Sequence, residues 1–342
     1  AHMYGWDIMP RIVSSGLWKP VYIKERKSDR INDAFIYTLS IDKKSSGARI
    51  SAFCSFDLSE DKTQDYSVVI KGSCGNSRFE GYQKLFASQA RLEMDISNCQ
   101  YWWPRYFGKQ NLYSTDITLL YKGNPVDSKH LDIGIRTVEL KRTNTTDKNG
   151  NGDFCFIING ERIFAMGSNW VPLDPFHSRD SQRLQKAFEL LYDVGSNIVR
   201  CWGGNVYESD EFYSLCDKYG IMVWQDFAMG CAVYPQEKKF YDLLNEEAIF
   251  TIKRLRNHPA LILWAGDNEG DYAYMSWGGI IRNPDNNAVT RKVLAKICEA
   301  HDFTRPYLPS SPYITEETMR TGADTSEDHL WGPRDYFKGD YY

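Results

Sequence analysis

The chain has 342 residues, a length that predicts two or three domains. Its apolar share of 42% is that of an ordinary globular protein, and a formal charge of −4 argues against nucleic acid as a partner, which would call for a basic face. No apolar run approaches the length of a membrane span, so a membrane partner is not expected either.

The chain starts with Ala1-His2-Met3-Tyr4-Gly5-Trp6, a polar and aromatic stretch without a signal-peptide pattern. Lacking a Met at position 1, it reads as a piece of something longer. Residues 21–142 read as β structure. Strands are predicted over 35–39, 48–53, 66–70 and 112–120, with turn clusters at 43–47 and 72–76. This spacing without helical periodicity predicts an immunoglobulin-like β-sandwich. The polar stretch 142–152 is a long hairpin turn or a linker, and the domain boundary is placed there.

From 153 onward the period changes. A strand is predicted over 163–170. The helix over 179–194 puts Leu184, Ala187, Phe188, Leu191 and Val194 on one face, with Ser178 as N-cap and Gly195 just past its end. A strand at 197–202 leads to a helix at 209–219 closed by Gly220. Strand 221–227, helix 241–256, strand 261–264, helix 288–300 and a weaker fifth strand at 305–308 follow. Near-continuous apolar strands alternating with helices predict a parallel sheet covered by helices. A (β/α)8 barrel and an open doubly wound sheet both fit. The TIM-type barrel is favoured, because no Gly-rich phosphate loop follows the first strand. A whole barrel takes about 250 residues, more than 153–342 supplies, so truncation after strand 5 or 6 is expected.

Aromatic residues make up 14% of the chain, with 10 Trp and 22 Tyr. Sugar sites favour aromatic rings, on which the C–H face of a pyranose packs. All-β domains favour them too. The eight cysteines are scattered without a CxxC pair, which predicts buried free thiols. The six histidines have no metal spacing, and no cofactor is expected. Asn144-Thr145-Thr146 is a single glycosylation sequon, and the compartment stays open.

The most informative stretch is Arg256-Asn257-His258-Pro259-Ala260-Leu261-Ile262-Leu263-Trp264-Ala265-Gly266-Asp267-Asn268-Glu269. It reads as a helix end, a turn, a short buried strand and then an Asn-Glu pair at the strand tip. Barrels commonly present a catalytic acid from such a tip. The bland alternatives are a loop glutamate for Glu269 and an Asx turn for Asn268. His258 reads as a structural residue at the strand entry.

Taken together with other motifs, this stretch resembles the β-mannosidases of glycoside hydrolase family 2. Gly5-Trp6-Asp7, Pro10-Arg11 and Gly16-Leu17-Trp18-Lys19-Pro20 are similar to the end of that family's N-terminal sugar-binding jelly-roll domain, of which residues 1–20 would be a remnant. Tyr101-Trp102-Trp103-Pro104 and Ile133-Gly134-Ile135-Arg136 resemble its immunoglobulin-like domain. Gly167-Ser168-Asn169-Trp170-Val171-Pro172-Leu173-Asp174, Arg200-Cys201-Trp202-Gly203-Gly204 and Trp224-Gln225-Asp226-Phe227 resemble barrel strands 1 to 3 of a partial catalytic barrel over 153–342.

The resemblance implies a retaining exo-hydrolase of terminal β-D-mannosyl residues, with a β-mannoside oligosaccharide or glycoconjugate as partner. It implies Glu269 as general acid/base and Asn268 as a hydrogen-bonding partner of the sugar 2-OH. Arg200 becomes a buried cation near the carboxylates, and Trp202 and Trp277 become aromatic walls. Trp6 and Asp7 reach in from the first domain, and Asn169, Trp170 and Asp174 complete the substrate-binding candidates. For any one Trp the alternative is core packing, and for Asp7 a turn carboxylate. Asp267 stands where the family usually has Asn. It is expected to share a side of the chain with Glu269 and to push its proton affinity up. The family's nucleophile lies at strand 7, beyond Tyr342, while Glu299, Glu316, Glu317 and Glu327 sit in helix or loop settings. The chain alone is therefore expected to have little or no activity. Two alternatives are kept: another exo-acting family 2 glycosidase (glucosaminidase, galactosidase or glucuronidase) and a non-catalytic carbohydrate-binding fragment.

Overall fold

Seven strands between Arg30 and Ile133 form two antiparallel sheets packed face to face: β1 (Arg30–Asp42), β2 (Gly47–Asp57), β3 (Tyr66–Cys74), β4 (Ser77–Lys84), β5 (Gln89–Ile96), β6 (Tyr113–Tyr121) and β7 (Asn124–Ile133). The strand orders are β1-β2-β5 and β4-β3-β6-β7. The computed structural model describes residues 10, 12, 16–60, 63–276 and 282–329. Alternate residues of each inner face build the sandwich core. On β5 these are Ala90, Leu92, Met94 and Ile96, and on the opposite sheet they include Val68, Ile70, Ile117 and Leu119.

β8 (Val138–Arg142) and β9 (Phe154–Ile158) pair antiparallel with Arg142 opposite Phe154. The polar stretch between them is thus a hairpin turn, tied by Thr143 N donating to Asp153 O at 2.8 Å. β10 (Glu161–Ile163) extends this ribbon to three strands. Val138, Leu140, Phe154, Phe156 and Ile158 pack into the core cluster of the next unit, so the ribbon, β8 included, is seated on the barrel strands.

Those strands are β11 (Gly167–Trp170), β12 (Ile198–Cys201), β13 (Met222–Asp226), β14 (Leu261–Ala265) and β15 (Tyr307–Leu308), all parallel and paired in chain order. Between them run α1 (Asp180–Asp193), α2 (Asp210–Tyr219) and α3 (Lys238–Leu255). α4 (Gly270–Met275) and α5 (Ala295–His301) lie between β14 and β15, and α6 (Glu316–Thr321) follows β15. The predicted strand over 163–170 divides into β10 and β11. It does so where Gly167 enters the parallel sheet: a Cβ there would sit 1.8 Å from Ile198 O. Ser209 caps α2 by accepting from Phe212 N at 3.3 Å, and Gly220 ends the helix at φ 69°. Ser178 is not the cap of α1. It sits inside a 3-10 turn, His177–Arg179, which places the helix start one residue later.

The two units meet along a polar seam at the base of β14. Arg136 is buried there, donating from Nε to Pro259 O at 2.9 Å and from Nη2 to Leu261 O at 2.8 Å. Asp33 accepts from Arg256 Nη2 at 2.6 Å, and Asn257 bonds the β1 backbone at Ala34 and Ile36. Trp102 leaves the sandwich to pack in the barrel cluster, its indole N–H on Asp217 O at 2.9 Å. His258 closes the same corner, with Nδ1 2.6 Å from Asp217 Oδ2.

Candidate active site

Parallel strands all end at one rim, where residues just past their tips can face one another. Past β14 the chain runs Gly266-Asp267-Asn268-Glu269 and is gripped from both sides. Asn268 bridges to Gly230 and to Ser311, Glu269 N donates to Ser311 O at 2.9 Å, and Cys231 N donates to Asn268 O at 2.7 Å. Glu269 then turns to φ 57°, ψ 20° and starts α4. A non-glycine residue in the left-handed region costs about 1–2 kcal/mol and persists where its surroundings over-determine it.

The Glu269 carboxylate is buried, at 4% exposure. Its Oε1 lies 2.7 Å from His329 Nδ1, and its Oε2 accepts from Cys231 Sγ at 3.4 Å. Beside it, Asn268 Oδ1 accepts from Arg200 Nη2 at 2.9 Å, and Asn268 Nδ2 donates to Cys231 Sγ at 3.2 Å. Arg200 also holds Asp226, with Nη2 2.8 Å from Oδ2, and its guanidinium lies 5.2 Å from the centre of the Trp224 ring. Asp226 accepts in addition from Gly203 N at 2.9 Å and Trp224 Nε1 at 3.0 Å. Gly203 is required by close approach: a Cβ there would lie 1.9 Å from Met229 O.

Burial governs the ionisation of this cluster. It raises Asp226 although Arg200 pulls the other way. It raises the Cys231 thiol to about 12, with the Glu269 charge adding to the effect. For His329, burial disfavours the charged ring, but hydrogen bonds to Glu269 and Glu327 outweigh it and lift the group to about 9. The site therefore sets the Glu269 carboxyl in hydrogen-bond contact with the His329 ring, next to an amide fixed by an arginine. Such a set can hold and hand over a proton beside a hydroxyl-bearing ligand.

The predicted residues divide three ways. Arg200, Asn268 and Glu269 come together at the rim. Trp202 is buried just past the end of β12, and its ring occupies the space a Cβ on Gly204 would take. Asn169 lies in register with Arg200 on the neighbouring strand and is exposed. Trp170 and Asp174 are placed elsewhere. Side chains alternate along a strand, and Trp170, in register with Cys201, faces the helices. There it packs on Phe188 and Phe212 and donates its indole N–H to Glu208 Oε1 at 3.1 Å. Asp174 spends its carboxylate on its own loop and on α1, accepting from Phe176 N at 2.9 Å and lying 2.9 Å from Arg183 Nη2. Trp6, Asp7 and Trp277 lie outside the described residues.

Asp267 also departs from expectation. The left-handed turn at Glu269 breaks the extended run, and the two carboxylates take different partners, Glu269 on His329 and Cys231. Asp267 accepts from Ser310 Oγ at 2.5 Å and Gly270 N at 3.1 Å. Burial and the neighbouring charge of Asp271 raise it to about 7. It serves to cap α4. The sequence reading missed His329, Ser311 and Cys231, and it set Glu327 aside as an acid in a helix or loop setting. The Asp226 carboxylate was visible in Trp224-Gln225-Asp226-Phe227 as another strand-end acid, the same signal that marked Glu269.

Residues 30–136 match the model of glycosyl hydrolases family 2, and residues 152–309 match the TIM barrel domain of the same family. The chain belongs to glycoside hydrolase family 2. Its fold is accordingly an immunoglobulin-like sandwich followed by strands of a TIM-type barrel, five of them among the described residues. The β-mannosidase of Mus musculus is 32% identical over 335 residues, covering 93% of this chain and 38% of its own length. A crystal structure of a β-D-mannosidase from Dictyoglomus thermophilum superposes with a TM-score of 0.84 at 35% identity, over 96% of this chain and 40% of that one. An exo-chitosanase from Amycolatopsis orientalis shares the fold, with a TM-score of 0.64 at 17% identity over 88% of this chain and 34% of that one. The chain thus spans about two fifths of the length of the two β-mannosidases.

Proposed function

We propose that Glu269 is the general acid/base of a retaining glycoside hydrolase acting on terminal β-D-mannosyl residues. The observation that carries the reading is the buried Glu269 carboxylate at the barrel rim, next to an Asn268 amide locked by Arg200. Cleaving a glycosidic bond needs a proton for the leaving oxygen, and Glu269 is placed to give one. Asn268 would hold the 2-OH, a contact that strengthens as the ring becomes oxocarbenium-like. A nucleophilic carboxylate is also required, and we place it on a barrel strand beyond β15, as the family resemblance implies.

Mannose is favoured over other sugars because the relatives named as β-mannosidases are 32% and 35% identical over more than nine tenths of the chain. The exo-chitosanase and β-glucuronidase structures, at 17% to 22%, bear on the fold alone. The test is equilibrium binding of methyl β-D-mannoside and its gluco and galacto counterparts to the chain. Preference for the manno sugar, lost in Asn268→Ala, is expected. Equal binding of all three, or none, would end the reading. Binding that survives in Asn268→Ala would favour a non-catalytic sugar site elsewhere on the chain.

A further inference from the structure

Behind Glu269 stands a second row of polar groups that proton donation by a lone carboxylate does not require. His329 Nδ1 is 2.7 Å from Glu269 Oε1. The other ring nitrogen, Nε2, is 3.0 Å from Ser311 Oγ and 3.6 Å from Glu327 Oε1. Ser311 Oγ donates to Glu327 Oε1 at 2.5 Å. Among the described residues, the second oxygen of Glu327 is buried without a hydrogen-bond partner. The row is built from three separate places in the chain: the start of α4, the loop after β15, and the segment 327–329. Two other charges face the ring. Arg200 Nη1 on β12 is 3.5 Å from Nε2, and Asp226 at the end of β13 interacts with it through space. Two carboxylates in direct contact thus oppose one guanidinium.

We propose that His329 is a positioning residue that keeps a proton in hand for Glu269, with Ser311 and Glu327 fixing the far side of its ring. This inference rests on Glu269 being the proton donor. In the resting pair the imidazolium Nδ1–H faces the Glu269 carboxylate. Moving that proton breaks the N–H bond, forms an O–H bond on Oε1, and leaves neutral imidazole beside a carboxylic acid. The pair keeps its total charge. When Glu269 passes the proton to the leaving oxygen, the pair is one proton short. The water that later attacks the sugar returns one, first to Glu269 and then, by the reverse shift, to Nδ1. Glu327 stabilises the imidazolium from the far side of the ring.

The test is an NMR titration of the histidine rings in the chain, with His329→Gln identifying the resonance among the six histidines. His329 is expected to titrate at about 9 in the unaltered protein. Replacing either carboxylate, in Glu269→Gln or Glu327→Gln, is expected to lower that value by about 1 pH unit or more. A ring that touched only one of the two carboxylates would respond to only one of these changes. Titration near the ordinary histidine value of about 6.5 overturns the proposal. So does a value that stays put in Glu269→Gln, which would leave the ring held by Glu327 alone. The titration of the unaltered chain is decisive by itself if a variant misfolds. The titration decides the pairing and the mannoside experiment decides the reading beneath it, so the two fail separately.

Discussion

Arg200 reaches Asn268 Oδ1 at 2.9 Å with the same Nη2 that lies 2.8 Å from Asp226 Oδ2. One guanidinium nitrogen therefore joins the tips of β12, β13 and β14. It decides which end of the Asn268 amide stays available to a ligand, since Oδ1 is already taken up. The Asp226 side chain is fully buried and Arg200 nearly so.

That burial sets the first prediction. Removing one partner of a buried ion pair leaves an uncompensated charge, which costs about 3–5 kcal/mol. Asp226→Ala is expected to destabilise the chain by that much in urea unfolding. Asp226→Asn keeps the bond from Gly203 N and should cost less. A loss below about 1 kcal/mol in Asp226→Ala would mean that Arg200 finds another partner or water.

The second concerns pH. Asp267 is raised to about 7 by burial and by Asp271, above the unfolded carboxylate value of about 4. Its neutral form is thus preferred in the folded state. The stability this gives is full below about pH 4 and is lost as pH rises through about 7. Asp267→Asn mimics the neutral acid and removes that loss. Stability of the variant relative to the unaltered chain should climb between pH 4 and 7, and a flat difference over that window would contradict the assignment.

A third prediction follows from Trp102. Its ring is fully buried in the barrel cluster although it belongs to the sandwich. Truncating a buried Trp to Ala costs about 3–5 kcal/mol. Calorimetry of Trp102→Ala should show lower stability and separate melting of sandwich and barrel, where the unaltered chain is expected to melt as one. Coincident melting at unchanged temperature would show that the seam relies on Arg136 and Arg256 instead.

Cys231 provides a fourth. Alkylation requires the thiolate, and this thiol is held at about 12 by burial and by Glu269. At pH 8 it should react with iodoacetamide far more slowly than a free thiol in buffer, as read by peptide mass spectrometry. Glu269→Gln removes the repelling charge and should speed the reaction. Fast labelling of the unaltered protein would place Cys231 in a different environment from the one described.

Much of this architecture was legible in the residues, for local reasons. Ser209 and Gly220 announce the two ends of α2, because a hydroxyl cap and a left-handed glycine act within one turn. The apolar run 261–264 needs no partner to read as a buried strand. The Gln89–Ile96 strand was equally legible, since Ala90, Leu92, Met94 and Ile96 alternate strictly, but it went unread beside its polar neighbours. β7 was harder to read: among the described residues it pairs with β6 at the sheet edge, and only Val126, Leu131 and Ile133 turn to the core. In the site, the strand-tip setting of Glu269 was readable from local sequence, while Arg200 entered only through the family resemblance. His329 was not readable, because it meets Glu269 across 60 residues of chain and no spacing rule reaches that far.

Arg136, bonded to carbonyls just before and at the start of β14, has a consequence at the opposite end of that strand. Five residues of β structure span only about 17 Å and stretch very little. A guanidinium anchored in the sandwich thus clamps the foot of a short rigid rod whose head carries Glu269. Any sliding of one unit over the other would carry the head along with the foot, so the seam also sets how steadily that carboxyl is aimed.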